Sequence, residues 1–292
     1  MREQTPILRP RRRLDGWLTL PLDVPAFLDK WRCSGGAELS NSQSFLSEVC
    51  DLLGVPRPDA AKPELRENAY VFERWVTFDN ADGTTSNGRI DLYKRGCLVL
   101  ESKQGVLREE REREALIERQ GRRKRGVGER GSIRWDEAML RAKAQAESYA
   151  RALPPDEGRP PFVIVVDVGF TIELYSEFSR TGGAYVPFPD PQSHRLSIDD
   201  LAREEVRERL RAVWTDPMSL DPARRSARVT REVAERLARL AKSLEASGHS
   251  PEDVAHFLMR CLFTMFAEDV GLLPERSFTE LLDTLRQAPE KE

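Results

Sequence analysis

The sequence lacks several features that define common classes of protein. Its four cysteines, Cys33, Cys50, Cys97 and Cys261, are far apart and form no CxxC pair. That spacing argues against a structural zinc site and for a reducing compartment. No segment approaches the roughly 20 apolar residues of a membrane span, and no apolar core of signal-peptide length follows the basic N-terminus. We therefore expect a soluble, cytoplasmic protein without membrane contact.

The sequence also has no excess of positive charge. It contains 46 Lys and Arg against 49 Asp and Glu, which gives a net charge of −3. Any binding of nucleic acid would therefore have to come from local basic patches. With 292 residues, the chain is long enough for two modest domains, each with its own core.

Hydrophobic periodicity divides the chain into three parts. Residues 1–39 resemble an irregular arm followed by a short helix. Residues 40–188 contain an amphipathic helix, "SNSQSFLSEVCDLLGV", three antiparallel strands in "YVFERWVTF", "RIDLY" and "CLVLESK", a helix in "WDEAMLRAKAQAESYARALP" and a strand pair joined by a turn at Asp167–Gly169. Residues 189–292 are predicted to be all-helical. The helix in "SPEDVAHFLMRCLFTMFAEDVGLLP" should be the buried centre of a bundle, because its middle is apolar nearly all round.

The segment "GRIDLYKRGCLVLESKQG" places three charged residues in an otherwise apolar strand pair. Residues two apart in a strand share a face, so Glu101 and Lys103 point the same way, and Asp91 on the preceding strand can reach that face. Two carboxylates suit Mg²⁺, and a lysine beside them can orient an attacking water. These groups are what phosphodiester hydrolysis requires, although a solvated strand edge is the alternative.

This order of elements, together with these residues, resembles the PD-(D/E)xK nuclease superfamily. The resemblance implies an α/β, restriction-endonuclease-like fold, in which a central mixed sheet is flanked by helices. It implies that Asp91 and Glu101 bind metal and that Lys103 assists the water and the phosphate. It also suggests an acid on the first helix as a further metal ligand, for which Glu48 is the candidate and Glu38 the less favoured one.

Some branches of the superfamily carry a QxxxY motif on the helix after the core hairpin, and "AKAQAESYA" supplies Gln145 and Tyr149. The alternative for this pair is a polar helix position and a tyrosine at the edge of the core. The resemblance implies a supporting shell around the catalytic hairpin, formed by Gln104, Gln145 and Tyr149.

A basic segment, "GRRKRGVGERG", follows the hairpin. It has too many glycines for a helix and is predicted to be a loop. Its cations could lie along the phosphates of double-stranded DNA without reading the base sequence, and a solvated loop is the alternative. The candidate DNA contacts are Arg122, Arg123, Lys124, Arg125, Arg130 and Arg134.

A second resemblance covers nearly the whole chain. Stretches such as "SFLSEVCDLLGV", "AQAESYARALP" and "FLMRCLFTMFAEDVGLLP" are similar to the N-terminal part of large bacterial single-chain restriction-modification proteins, and of related phage-defence methyltransferases. Those proteins fuse a nuclease domain, a helical connector, an adenine-N6 methyltransferase and a target-recognition domain. The sequence has no NPPY-like tetrapeptide and no glycine-rich S-adenosylmethionine loop, so S-adenosylmethionine would be used only by C-terminal domains that are missing here. We expect a fragment of a longer polypeptide, because "FTELLDTLRQAPEKE" stops inside a predicted pair of connector helices; a stand-alone or truncated gene product is the alternative.

These resemblances imply a Mg²⁺-dependent DNA endonuclease module, with Mn²⁺ as a substitute metal, followed by an all-α connector domain. Its partners would be double-stranded DNA and either defence-system subunits or the methyltransferase domain of the same polypeptide. The alternative is a non-cleaving DNA-binding or regulatory platform of a defence-system methyltransferase. A docking module for other subunits is a third hypothesis, which an exposed apolar patch on the helices of residues 229–285 would favour.

Overall fold

The computed structural model describes residues 23–32, 38–79, 82–103 and 129–287. The chain divides into two compact units, Met1–Asp221 and Pro222–Glu292. None of the helices in the described ranges has the length and apolarity needed to cross a membrane.

The first unit is a mixed sheet with helices on both faces. Its helices are α1 (Val24–Arg32), α2 (Glu38–Leu53), α3 (Ile133–Ala152) and α4 (Glu204–Thr215). Its strands are β1 (Tyr70–Asp79), β2 (Thr85–Lys94), β3 (Leu98–Lys103), β4 (Phe162–Asp167), β5 (Thr171–Ser176), β6 (Val186–Pro187) and β7 (Arg195–Ser197). The second unit contains α5 (Pro222–Ala246), α6 (Pro251–Asp269) and α7 (Ser277–Gln287).

The strand order is β1-β2-β3-β4-β5-β6, and β7 also pairs with β5. The paired strands are antiparallel except for β3 and β4, which run parallel with Lys103 opposite Asp167. A parallel pair needs a crossover connection, and α3 lies within the segment that links β3 to β4. The predicted fold class, an α/β domain with a mixed sheet followed by a helical region, is confirmed.

Alternate residues of β3 face two separate cores, as expected for a strand buried on both sides. Leu98 and Leu100 belong to the core that α1, α2 and α4 cover, whereas Val99 belongs to the core that α3 covers. Ser132 caps the start of α3 by accepting a hydrogen bond from the Trp135 N–H. The residues predicted for the buried side of this segment all belong to the core that the helix covers: Met139, Ala142, Ala146, Tyr149 and Leu153.

The first unit extends well past residue 188, where the sequence analysis places the end of the α/β domain. β7 pairs with β5, so the section from residue 189 is not all-helical. α4 packs its apolar stripe, which includes Leu210 and Trp214, into the core shared with α1 and α2. The contact boundary therefore falls after Asp221, because both elements complete the sheet domain.

The second unit leaves much of its apolar surface exposed. In α6, Val254 and Ala267 are buried, whereas Phe257, Phe263 and Phe266 each expose more than half of their surface. The prediction that this helix is the buried centre of a bundle is therefore wrong within the described residues, because the helices before and after it leave most of its apolar side chains uncovered. Further exposed apolar residues on α5 and α7 are Val229, Val233, Leu240, Leu281, Leu282 and Leu285.

Candidate active site

The sheet separates into two strand pairs where the pairing of β2 with β3 ends, at Leu92 and Leu100. Beyond that point β2 continues alongside β1, and β3 continues alongside β4. We call this opening the fork; it contains Asp91 on β2 and Glu101, Ser102 and Lys103 on β3. The three charged residues singled out from the sequence thus lie on neighbouring strands at one place in the sheet.

Asp91 bridges the fork with its side chain. Its Oδ2 accepts a hydrogen bond from the backbone N–H of Ser102 at 2.7 Å and another from Ser102 Oγ at 2.6 Å. The carboxylate thereby satisfies a backbone donor in the region where the two strands no longer pair. These two bonds fix the position of Asp91 beside β3.

Glu101 and Lys103 form an ion pair on one face of β3. Lys103 Nζ donates to Glu101 Oε1 at 2.6 Å. The Glu101 side chain is 4% exposed and that of Lys103 is 21% exposed. A buried carboxylate is stable only with a partner, so the lysine acts as the counter-ion of the acid while part of it remains open to solvent.

Asp91 and Glu101 offer the oxygen ligands that a hard cation prefers. Mg²⁺ is commonly held by one or two carboxylates and keeps waters and phosphate oxygens as its other ligands, so this donor set fits the ion. Across the described ranges, no group of three or more His, Cys, Asp or Glu side chains is placed to hold a metal. The fit therefore rests on two carboxylates.

Glu48 does not join these two acids. Its carboxylate accepts a hydrogen bond from Trp31 Nε1 at 2.8 Å and another from Lys30 Nζ. The structure thus places the predicted third ligand in a link between α2 and α1, because the two donors on α1 satisfy it there. The side chain of the less favoured candidate, Glu38, lies outside the described residues.

Gln145 and Tyr149 are in contact, one helical turn apart on α3. Gln145 Nε2 donates to Tyr149 Oη at 2.7 Å, and the Tyr149 ring lies 5.8 Å from the ring of Phe78. A Cβ atom at Gly88 would lie 2.5 Å from Tyr149 Cε1 and 2.7 Å from Phe78 Cε2. Only glycine leaves room for this ring at that point of β2, three residues before Asp91.

Asp167 begins the predicted turn between β4 and β5, and its side chain is fully buried. Its carboxylate accepts hydrogen bonds from Trp135 Nε1 at 2.7 Å and from Arg130 at 2.8 and 3.1 Å. Arg130 also donates to the Val168 carbonyl at 2.7 Å, and its side chain is 6% exposed. The structure therefore removes Arg130 from the candidate DNA contacts, because its guanidinium compensates a buried carboxylate.

The other predicted residues fall into two groups. Arg134 is exposed in the first turn of α3, where a phosphate could reach it. The remaining predicted site residues lie outside the described ranges: Gln104, Arg122, Arg123, Lys124 and Arg125.

Glu73, on the strand next to the fork, is a residue that sequence reasoning missed. It lies between Phe72 and Arg74, which pair with Leu92 and Ile90 on either side of Asp91, and has a φ of 57°. That left-handed conformation is uncommon for a residue other than glycine, and it costs conformational energy. The Glu73 carboxylate pairs with Arg89 at 2.5 Å.

The alternation of β1 side chains between the two faces of the sheet is reversed at Glu73. Phe72 packs against the core shared by α1, α2 and α4, whereas Val76 belongs to the core under α3. The same change occurs on β2, where Leu92 belongs to the first core and Ile90 to the second. No residue type in this stretch signals such a reversal, so it was not predictable from the sequence.

The geometry therefore defines an α/β domain that carries an Asp–Glu–Lys group at a fork in its mixed sheet, followed by a helical region. Residues 22–247 match the family model described as MmeI, N-terminal domain, and residues 252–292 match the one described as MmeI, helicase spacer domain. The chain belongs to the MmeI N-terminal domain family. Comparison with curated proteins and with solved structures gives no match.

Membership of this family indicates that the chain is a region of a restriction-modification protein, and such proteins interact with DNA. The predicted resemblance to the nuclease-like front end and helical connector of large restriction-modification proteins is thereby confirmed.

Proposed function

We propose that the chain is a Mg²⁺-dependent DNA endonuclease module, with the fork as its site of phosphodiester hydrolysis and Mn²⁺ as a substitute metal. The observation that carries this proposal is the Asp91–Ser102 link beside the Glu101–Lys103 ion pair, which assembles two carboxylates and an ammonium on adjoining strands. Membership of a restriction-modification family supports DNA as the substrate.

Each charged residue of the fork has a distinct role in this proposal. Asp91 and Glu101 hold the metal through carboxylate oxygens. When bound, Mg²⁺ lowers the pKa of an attacking water and offsets the negative charge that develops on the phosphate. Lys103 has three N–H donors, so it can keep its bond to Glu101 and still donate to a phosphate oxygen or orient the water.

Other residues act as positioning residues. Ser102 holds Asp91 through its backbone N–H and its hydroxyl. Gln145 fixes the hydroxyl of Tyr149, and the tyrosine ring packs against β2 at Gly88. Target recognition and S-adenosylmethionine-dependent adenine methylation would belong to further domains of the same polypeptide or to defence-system subunits.

The test is cleavage of supercoiled plasmid DNA by the full chain with Mg²⁺ and with Mn²⁺, beside the variants Asp91→Asn and Lys103→Ala. We expect both to lose about 100-fold or more in cleavage rate, since each removes a group that acts on the reacting phosphate. Matched controls are Asp29→Asn and Lys62→Ala, whose side chains are 78% and 56% exposed. These controls should cleave at the wild-type rate, and circular dichroism should be the same for all five proteins.

Cleavage that persists in both fork variants would contradict the proposal. A wild-type chain that binds DNA but cuts none, with either metal, would favour the alternative of a non-cleaving DNA-binding or regulatory platform.

A further inference from the structure

A second polar feature of the first unit is a cleft of about 690 Å³ between β1 and the C-terminal end of α3. None of its lining residues belongs to the fork. Trp75 and Phe78 of β1 supply aromatic surface, and Ser148 of α3 supplies a hydroxyl. We call it the arginine cleft, because its charged lining residues are Arg66, Arg74, Arg151, Arg159, Asp79 and Glu157.

The acid at the base of the arginine cleft is already compensated from within the protein. Glu157 accepts hydrogen bonds from Arg74 Nη2 at 2.7 Å and from Tyr93 Oη at 2.6 Å, and Arg95 Nη2 lies 3.5 Å away. Burial, together with the Glu157 carboxylate, raises the pKa of Tyr93, so the phenol stays protonated as a donor. Two guanidinium groups against one carboxylate leave this network with one positive charge.

Arg74 places part of that charge at the cleft wall. Its side chain is 2% exposed and lines the cleft. Nη1 donates to the Trp75 carbonyl at 3.3 Å and Nη2 to Glu157, but Nε makes no hydrogen bond to any part of the chain that the structure describes. A buried cationic donor without a partner is costly, and an anion in the cleft, directly or through a water, would provide one.

The mouth of the cleft suits a phosphodiester rather than a small isolated anion. Arg66 is exposed, and the Arg151 side chain is 49% exposed with its nearest carboxylate, Glu147, 3.8 Å away. Trp75 is 51% exposed, with the Arg89 guanidinium 5.7 Å from its ring centroid, and its exposed part can contact a base or sugar. Guanidinium groups beside exposed aromatic rings are a combination that nucleic-acid sites use, since the cations take phosphates and the rings stack with bases.

We propose that the arginine cleft binds a backbone phosphate of a DNA strand outside the scissile position, through Arg66 and Arg151 at its mouth and Arg74 in its wall. This inference rests on the proposed function only in taking DNA as the ligand of the domain. Because phosphate contacts position a strand without reading its bases, the contact is independent of sequence.

The test is equilibrium binding of a fluorescently labelled duplex by the full chain, measured in Ca²⁺ over a range of salt concentrations. Arg66→Ala/Arg151→Ala should weaken binding about tenfold or more, and it should reduce the slope of log K against log[salt] by about 0.9, since the two arginines share one phosphate and each phosphate contact contributes about 0.9. Arg66→Lys/Arg151→Lys keeps both charges and should retain most of the slope. The matched control is Arg141→Ala/Arg203→Ala, whose side chains are 71% and 56% exposed outside the cleft, and it should bind as the wild type does.

Equal slopes for the cleft variant and the wild type would overturn the inference, and so would an equal loss in the control. A wild-type chain that binds no DNA overturns it as well. Inorganic phosphate that competes at the same concentration as an oligonucleotide would identify a free anion as the ligand and would also refute it. If the wild type cleaves no plasmid while the cleft variant still loses affinity, the proposed function fails and the cleft inference stands.

Discussion

The two units bury their apolar residues to very different extents. In the first unit every residue of β4 and β5 is buried. In the second unit none of the described residues of α5 or α7 is buried, and α6 buries two. Both units have strongly apolar stretches, so the difference comes from geometry. A sheet gives each strand two faces to cover with helices, whereas the described helices of the second unit pack mainly with their neighbours in sequence, α5 with α6 and α6 with α7.

The two units also differ in the burial of their ion pairs. The first buries the carboxylates of Glu101, Asp167 and Glu157, each against a lysine or an arginine. In the second, Arg228 and Glu232 face each other at 3.8 Å with both side chains largely exposed. Exposed pairs contribute little, whereas breaking a buried pair costs several kcal/mol. The sheet unit therefore fixes the positions of these three carboxylates, whereas the exposed Arg228–Glu232 pair is held only weakly.

The largest expected effect compares the same substitution in the two units. Phe162 is fully buried, with the rings of Phe178 and Phe188 at 5.5 and 5.2 Å, so Phe162→Ala should lower the free energy of unfolding by about 3–5 kcal/mol. Phe263 on α6 is 69% exposed, and Phe263→Ala should change it by less than about 0.5 kcal/mol. Urea unfolding followed by circular dichroism measures both. Similar losses would break the comparison and would mean that α6 is covered in solution.

A smaller effect tests how closely the sheet unit packs around Tyr149. Gly88→Ala should lower the free energy of unfolding by about 1–3 kcal/mol, because the new Cβ would overlap two rings. Gly183→Ala is the control, since the nearest atom to its added Cβ is Thr181 Oγ1 at 3.6 Å. Thermal unfolding of the two variants gives the difference. Equal midpoints would show that Tyr149 does not pack against β2 as described.

The smallest expected effect is a difference in cysteine reactivity rather than in stability. Burial raises the pKa of the Cys50 and Cys97 thiols. A raised pKa keeps a thiol protonated to higher pH, and the thiolate is the form that reacts. At pH 8, both should therefore react with a maleimide more slowly than the half-buried Cys261 of α6. Peptide mapping by mass spectrometry measures the rates, and labelling of Cys50 as fast as that of Cys261 would contradict the difference in burial.

The order of helices and strands was predictable because hydrophobic periodicity is local. β2 nevertheless begins at Thr85, four residues before the predicted strand "RIDLY", because pairing with β1 extends the strand through Ser86, Asn87 and Gly88. The places of β7 and α4 in the first unit depend on contacts with β5 and α2, which are distant in sequence. The exposure of α6 was not predictable, since an apolar helix carries no information about what surrounds it.

The same distinction between local sequence pattern and tertiary packing applies to the candidate site. Strand periodicity is enough to predict that Glu101 and Lys103 share a face, where they form an ion pair. The contact of Asp91 with Ser102, the residue between them, was not predicted. The partners of Glu48 and Arg130 come from tertiary packing, so their places were not predictable. The left-handed backbone conformation of Glu73 was not predictable, because no sequence pattern indicates it.

The parallel pairing of β3 with β4 has a consequence for the order of folding. Asp91 and Glu101 lie on the two strands of one hairpin, so their strands meet as soon as a short loop closes. Asp167 reaches its place opposite Lys103 only after the whole crossover, including α3, has been brought back to the sheet, and such distant contacts form slowly. We therefore expect the Asp91–Ser102 link of the fork to form early, while the Arg130–Asp167 pair forms in the last steps of folding.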